Sequence, residues 1–284
     1  MKQGLVLEGG ALRGLYSAGI LDVMMEEGIE FDGLVGVSAG AAFGCNMKSR
    51  QIGRPLRYNQ RFAKDWRYCS LRSLLLTGDL FGAEFAYHTV PNELDVFDNE
   101  TFERNPMEYW VVCTDVETGG AVYKKLDRGG DWAYDWIRAS ASMPLCSRVV
   151  ELDDLKLLDG GVADSIPLKF FNQQGYEKNV VVLTQPADYI KGRNKLLPLM
   201  RMSGLRKYPR FLKALADRHY MYNAELEYVW EEERAGRAMV FRPEHALPIG
   251  HISHKPSEMQ VVYDIGRRDA KKRLQELKSF LQSR

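Results

Sequence analysis

The sequence predicts a three-layer α/β/α sandwich with a mainly helical C-terminal extension. Three observations predict it. Short apolar runs alternate with longer amphipathic ones along most of the chain. The run Asn179-Val180-Val181-Val182-Leu183-Thr184 is apolar almost throughout, as a strand buried on both faces requires. Glycine-rich turns follow two of the apolar runs and open helices. Strands are expected at 4–8, 34–37, 109–115, 121–125, 155–158, 179–184 and 238–241, and helices near 12–27, 39–49, 131–141, 166–174, 210–234 and 257–282.

The first strand, Gly4-Leu5-Val6-Leu7-Glu8, runs into Gly9-Gly10-Ala11-Leu12-Arg13-Gly14. An amphipathic helix follows, with Leu15, Ala18, Ile20, Leu21, Met24 and Met25 on its apolar side. A glycine-rich turn between strand and helix exposes backbone N–H groups that can hold an anion. A dinucleotide site is the alternative, because Glu30 and Asp32 lie where a ribose-binding acid would sit. Against it, Ala11 replaces the middle glycine and Arg13 places a charge inside the turn.

The second strand ends in Gly36-Val37-Ser38-Ala39-Gly40 and passes directly into a helix. Gly-x-Ser-x-Gly in this context forms a nucleophile elbow. Small residues two positions either side let the serine occupy a strained turn without clashes. The other reading is a small-residue turn with an ordinary serine. Further on, residues 70–90 carry Leu71, Leu74, Leu75, Leu76, Leu80, Phe81 and Phe85. They suit either a lid or acyl-chain wall, or plain core packing.

The strand at 155–158 leads into Asp159-Gly160-Gly161. A carboxylate at the carboxyl end of a strand faces the side where ligands bind in such sheets; the alternative is an acidic turn. Taken together, the three motifs make an oxyanion loop, a serine and a carboxylate base.

From Tyr189 to Ala216 the chain has eight basic residues and no acid: Lys191, Arg193, Lys195, Arg201, Arg206, Lys207, Arg210 and Lys213. Apolar residues are interleaved. Residues 190–213 therefore suit a peripheral membrane contact or a solvated helix face. The rest of the C-terminal part carries no chemical motif. The expected division is a catalytic domain at 1–186 and an extension packed on it at 187–284.

Composition narrows the class. The 284 residues are 45% hydrophobic, enough for a sizeable core. With 39 basic and 38 acidic residues, no general attraction to nucleic acid is expected. No apolar run approaches the roughly 20 residues that cross a bilayer, and the N-terminal apolar stretch is too short for a signal peptide. A cytoplasmic protein is expected, peripheral at the inner membrane surface if the basic tract docks there. Cys45, Cys69, Cys113 and Cys146 are widely spaced, so reduced thiols without zinc are expected.

With these motifs in place, the chain resembles the patatin-like phospholipase family. The stretches are Glu8 to Gly14, Gly36 to Gly40, Arg138-Ala139-Ser140-Ala141-Ser142-Met143-Pro144 and Asp159-Gly160-Gly161, with a further similar segment, Thr114-Asp115-Val116-Glu117-Thr118-Gly119. They occur in family order over roughly residues 4–168. The resemblance implies a patatin-like fold and a lipid acyl hydrolase, a phospholipase, lysophospholipase or carboxylesterase. Its catalytic residues would be Ser38 and Asp159. Its oxyanion-binding loop would be Gly9, Gly10, Ala11, Arg13 and Gly14, with Gly36, Gly40, Gly160 and Gly161 shaping the motifs. Ala11 departs from the family pattern, where a third glycine is usual.

The resemblance further implies a Ser–Asp dyad without histidine, cofactor or metal. His88, His219, His245, His251 and His254 fall outside the matching motifs and are expected at the surface or in packing. The substrate would be a lipid or other ester. The competing functions are a nucleotide-binding protein using the glycine-rich loop and a catalytically silent lipid-binding protein.

Overall fold

A computed structural model describes residues 1–283. Among them, eight strands form one sheet: β1 (Lys2–Leu7), β2 (Gly33–Val37), β3 (Glu108–Asp115), β4 (Ala121–Lys125), β5 (Val150–Leu152), β6 (Leu155–Asp159), β7 (Tyr176–Val182) and β8 (Ala238–Phe241). The order is β5-β6-β3-β2-β1-β7-β8, with β4 also paired to β3. β3, β2, β1, β7 and β8 run parallel, and β4, β5 and β6 supply the antiparallel pairings.

The side chains of the central strands alternate between two faces. Leu5 and Leu7 enter one buried cluster while Val6 enters the other, and Val180 and Val182 alternate likewise with Val181. Both faces need cover. The first is covered by α1 (Gly14–Glu26), α2 (Ala39–Lys48), α3 (Arg54–Arg61) and α6 (Asp131–Ser140), with the short α4 (Leu71–Thr77) and α5 (Asn99–Arg104) between α3 and α6 in the chain. The second is covered by α7 (Leu168–Gln173) and α9 (Pro209–Arg234), the latter preceded by α8 (Leu197–Met202). α10 (Pro256–Lys272) and α11 (Leu274–Gln282) return to the first face. The result is the expected α/β/α sandwich with helices gathered toward the C-terminus.

Three local expectations change. The helix expected over 257–282 breaks at Arg273, whose guanidinium turns to the Val240 carbonyl, 2.5 Å away. The helix expected at 166–174 starts only at Leu168, because the residue before Pro167 is disfavoured in the helical region. The segment 70–90 splits. Leu71, Leu75 and Leu76 of α4 point to solvent, whereas Leu80 and Phe85 are buried, the latter opening a π-helical stretch Phe85–Leu94. The strand expected at 238–241 is present as β8, which pairs with β7.

Candidate active site

Ser38 sits between β2 and α2 with φ 55° and ψ −121°, a strained conformation for a residue with a Cβ. Close packing of glycine backbones makes the turn possible. A Cβ on Gly36 would lie 2.5 Å from the Gly40 carbonyl oxygen, and one on Gly40 would lie 2.5 Å from that of Leu7. Ser140, at the end of α6, splices the sheet ladder at this point. Its hydroxyl accepts from the Ser38 N–H at 3.0 Å and donates to the Val112 carbonyl at 2.6 Å.

The carboxylate is delivered by the register of β3. Trp110 to Thr114 pair with β4 along one edge of β3, so β2 and β6 share the other edge in succession. Val112 pairs with Val37, and the next residue, Cys113, pairs with Asp159. Asp159 therefore stands beside the residue that follows Val37, which is Ser38. Its N–H donates to the Ser142 carbonyl at 2.8 Å, and its Oδ1 accepts from the Gly161 N–H at 2.8 Å. Gly160 has no room for a side chain, since a Cβ there would meet the Val112 oxygen at 2.0 Å.

Asp159 is buried, with 7% of the residue exposed. Burial pushes its pKa up, while Arg218, the Ser38 hydroxyl, the Gly161 N–H and Lys191 hold the charged form. Arg218 arrives from α9, where its Nε also donates to the Gly161 carbonyl.

The loop Gly9 to Gly14 lies against the serine. A Cβ on Gly9 would fall 2.8 Å from Ser38 Cβ. The chain turns through φ 149° at Gly10 and φ 50° at Ala11. Ala11 thus adopts the left-handed conformation that a side chain resists, at a cost of about 1–2 kcal/mol. Among the described residues the N–H groups of Gly10 and Ala11 have no acceptor, whereas the Arg13 N–H closes on the Gly10 carbonyl at 3.1 Å. Gly14 begins α1.

A polar buttress behind the loop was not foreseen from sequence. Thr184 Oγ1 donates to the Gly9 carbonyl at 2.8 Å. The Thr184 N–H donates to Glu8 Oε2 at 2.6 Å, and Tyr222 donates to Glu8 Oε1 at 2.6 Å. Glu8 and Thr184 end adjacent strands, and that placement was the available signal. Tyr222 and Arg218 had none.

Two cavities meet at Ser38, sharing Ala11, Ser38 and Met143 in their walls. One is a slot of about 100 Å³ lined mainly by apolar and aromatic side chains, among them Phe43, Tyr58, Phe81, Tyr87, Val90 and Ile137. The other is a polar basin of about 620 Å³ that contains Arg13, Asp159, Lys191, Arg218, His219 and His251. The histidines divide. His88 faces Asp131 and Asp135, His254 faces the Ala63 carbonyl, and His245 is exposed. His219 and His251, by contrast, line the basin. Neither hydrogen-bonds Ser38 or Asp159 among the described residues.

The model of the family described as patatin-like phospholipase matches residues 5–171. The chain belongs to the patatin-like phospholipase family. A second match, to a domain of unknown function, covers residues 208–282. Over 200 residues the chain is 30% identical to the uncharacterized protein YjjU of Escherichia coli, covering 64% of this chain and 52% of that protein. It is 30% identical over 179 residues to lysophospholipase NTE1 of Candida glabrata, covering 61% of this chain and 10% of that protein. The chain thus spans about half of the first relative and a tenth of the second. Among solved structures, VipD from Legionella pneumophila is similar with a TM-score of 0.47 at 11% identity, over 97% of this chain and 67% of that one.

Within this patatin-like chain, no described helix is long and apolar enough to cross a membrane. Among the described residues no group of three or more His, Cys, Asp or Glu is arranged to hold a metal ion. Cys45, Cys69, Cys113 and Cys146 are free thiols.

Proposed function

We propose that the protein is a serine hydrolase of carboxylic esters in lipids that works through a Ser38–Asp159 dyad and an acyl-enzyme. The observation that carries this reading is the position of Ser38 where an apolar slot and a polar basin meet, beside a buried carboxylate and two open N–H groups. The slot takes the acyl chain and the basin takes the leaving group. A single narrow slot suits a lipid with one acyl chain, and relatives named lysophospholipase agree with that choice.

In this mechanism Ser38 Oγ attacks the ester carbonyl as Asp159 takes its proton. The carbonyl oxygen becomes an oxyanion held by the N–H groups of Gly10 and Ala11. Collapse breaks the carbonyl–oxygen bond, and Asp159 returns the proton to the departing alcohol. Water then attacks the acyl ester with Asp159 again as base, releasing the fatty acid and restoring Ser38. Gly9, Arg13 and Gly14 fix the loop, while Gly36, Gly40, Gly160 and Gly161 give the backbones their close approach.

The same proposal assigns catalysis to residues 1–186 and buttressing to 187–284. It places the protein in the cytoplasm, at the inner membrane surface through residues 190–213, where Ile190, Leu199 and Met202 are exposed among the basic residues. A fluorophosphonate tests the central claim. It should attach to Ser38 alone, with short-chain nitrophenyl esters hydrolysed by wild type and not by Ser38→Ala. Labelling elsewhere, or no turnover of any ester, sinks the hydrolase reading in favour of a silent lipid-binding protein.

A further inference from the structure

The basin holds three cations that make no ion-pair contact among the described residues. Arg13, Lys191 and Arg218 all line it. The Arg13 guanidinium faces His251, Arg218 Nε donates to a backbone carbonyl, and the Lys191 ammonium stands 4.4 Å from the centre of the Tyr222 ring. None of the three meets a carboxylate at ion-pair distance among the described residues. Of the two carboxylates of the basin, Glu8 accepts from Thr184 and Tyr222, and Asp159, which accepts from Gly161, is the one whose charge Arg218 and Lys191 favour, so three cations outnumber the carboxylates near them. Arg13 Nε and His219 Nδ1 are buried without a partner. Charge withdrawn from water is normally paired, so this arrangement is incomplete without an anion. Burial, then the neighbouring Arg218, lower the Lys191 pKa to about 8, with Glu8 opposing the shift in part.

The position of the basin says what that anion is attached to. It opens from Ser38 on the side away from the acyl slot, where the alcohol portion of a lipid ester would lie. A quaternary ammonium there would meet three cations. The Tyr222 ring face that could attract it is already covered by Lys191. A phosphate with two negative charges satisfies several of these donors at once.

We propose that the basin is a binding site for a phosphomonoester dianion, held by Lys191 and Arg218, which makes acyl lipids ending in an unsubstituted phosphate the preferred substrates over those ending in phosphocholine. The substrate half of this inference rests on the hydrolase reading; the anion site does not. Both lysine and arginine come from the part of the chain beyond residue 187, so that part sets head-group choice.

The experiment has two arms on the full chain. In the first, kcat/KM is compared for a monoacylglycerol phosphate and a monoacylglycerol phosphocholine of the same acyl chain. Wild type should favour the phosphate lipid. Lys191→Met should reduce the ratio about tenfold or more, the loss of one charge-assisted contact, and Lys191→Arg should restore most of it. Because the readout is a ratio, a general loss of activity cancels. In the second arm, glycerol 3-phosphate, glycerophosphocholine and inorganic phosphate are titrated into Ser38→Ala protein. Glycerol 3-phosphate should bind, glycerophosphocholine should not, and Lys191→Met should weaken the former by a similar factor.

A wild-type preference for phosphocholine, a ratio indifferent to Lys191→Met, or no binding of glycerol 3-phosphate overturns the proposal. Binding of inorganic phosphate without a preference for the phosphate lipid overturns its head-group part. If no ester is cleaved while glycerol 3-phosphate binds through Lys191, the hydrolase reading fails and the anion site stands.

Discussion

Burial drives the proton affinity of Asp159 upward, and Arg218, reaching across from α9, is the chief group that pulls it back. The balance has a kinetic consequence. A base must be ionised, so activity is lost as pH falls through its pKa. With that pKa raised, the acidic limb of the kcat/KM profile should lie above the usual carboxylate range. Arg218→Met removes a group that favours the charged form, so the limb should move to still higher pH. A limb that stays in place in this variant shows that another group titrates.

Ser38 and Asp159 act as a unit in the proposed mechanism. Ser38→Ala and Asp159→Asn should each abolish nearly all esterase activity, and the double variant should be no worse than either. Substituting His219 or His251 with Asn should leave turnover of a short neutral ester within a few-fold. A well-folded histidine variant that loses a hundredfold or more would replace the dyad with a triad.

Ser140 is the splice between β2 and β3. Ser140→Ala strands the Ser38 N–H and the Val112 carbonyl in a buried site, which costs about 1–3 kcal/mol. Both melting temperature and esterase activity should fall, and Ser140→Thr, which keeps the hydroxyl, should recover part of each. An alanine variant with wild-type stability and activity means the elbow needs no such bridge.

Asp164 and Glu225 form a carboxyl pair. Glu225 of α9 accepts from the Ser165 and Ile166 N–H groups and shares a hydrogen bond with Asp164, which in turn accepts from Tyr123 at 2.6 Å. Burial, then Asp164, push the Glu225 pKa up to about 10, so Glu225 holds its proton at neutral pH. A carboxyl raised in the folded state contributes its full stability below its unfolded value and loses it as pH rises toward the folded one. Melting temperature should therefore decline between pH 5 and about 10. Glu225→Gln, which retains a donor to Asp164, should flatten that decline; an identical slope in the variant excludes the pair as its source.

The basic tract makes a separable prediction. If residues 190–213 meet an anionic surface, each basic side chain contributes on the order of 1 kcal/mol. Changing Arg206, Lys207 and Arg210 to Glu should weaken binding to anionic vesicles about a hundredfold or more, and high salt should do the same to wild type. Hydrolysis of a soluble short-chain ester should survive. Co-sedimentation unaffected by both treatments means these residues are only a solvated face.

Much of the architecture was legible because it depends on local chemistry. The strand alternation marks the sheet, and small residues mark the places where backbones touch, at Gly36, Gly40 and Gly160. The short helices α3, α4, α5 and α8 span only two turns or so, too few for a period to stand out. The basin was hidden for a different reason. Lys191 and Arg218 carry no motif, and Lys191 belongs to a tract that looked like solvated charge. Only the packing of α9 over the turn after β6 brings them to Asp159. Likewise His219 and His251 gave no hint of lining a cavity, since nothing in their spacing relates them to Ser38. Ala11 stood out only as a departure from the family pattern, and its left-handed conformation shows that the same turn is made with a side chain present.

The four-residue strand β8 has a disproportionate part in closing the sheet. β7 lies beside β1, whose end carries the Gly9 to Gly14 loop, and its other edge is closed only by the four residues of β8. A shortened protein stopping near residue 187 would leave the Asn179 to Val182 backbone with unsatisfied donors and acceptors along a flat, valine-rich margin. Such a margin recruits strands from other molecules. Cutting the chain near residue 187 would therefore yield self-association through β7, and the natural β8, too brief to offer a long ladder of its own, terminates the sheet without inviting another strand.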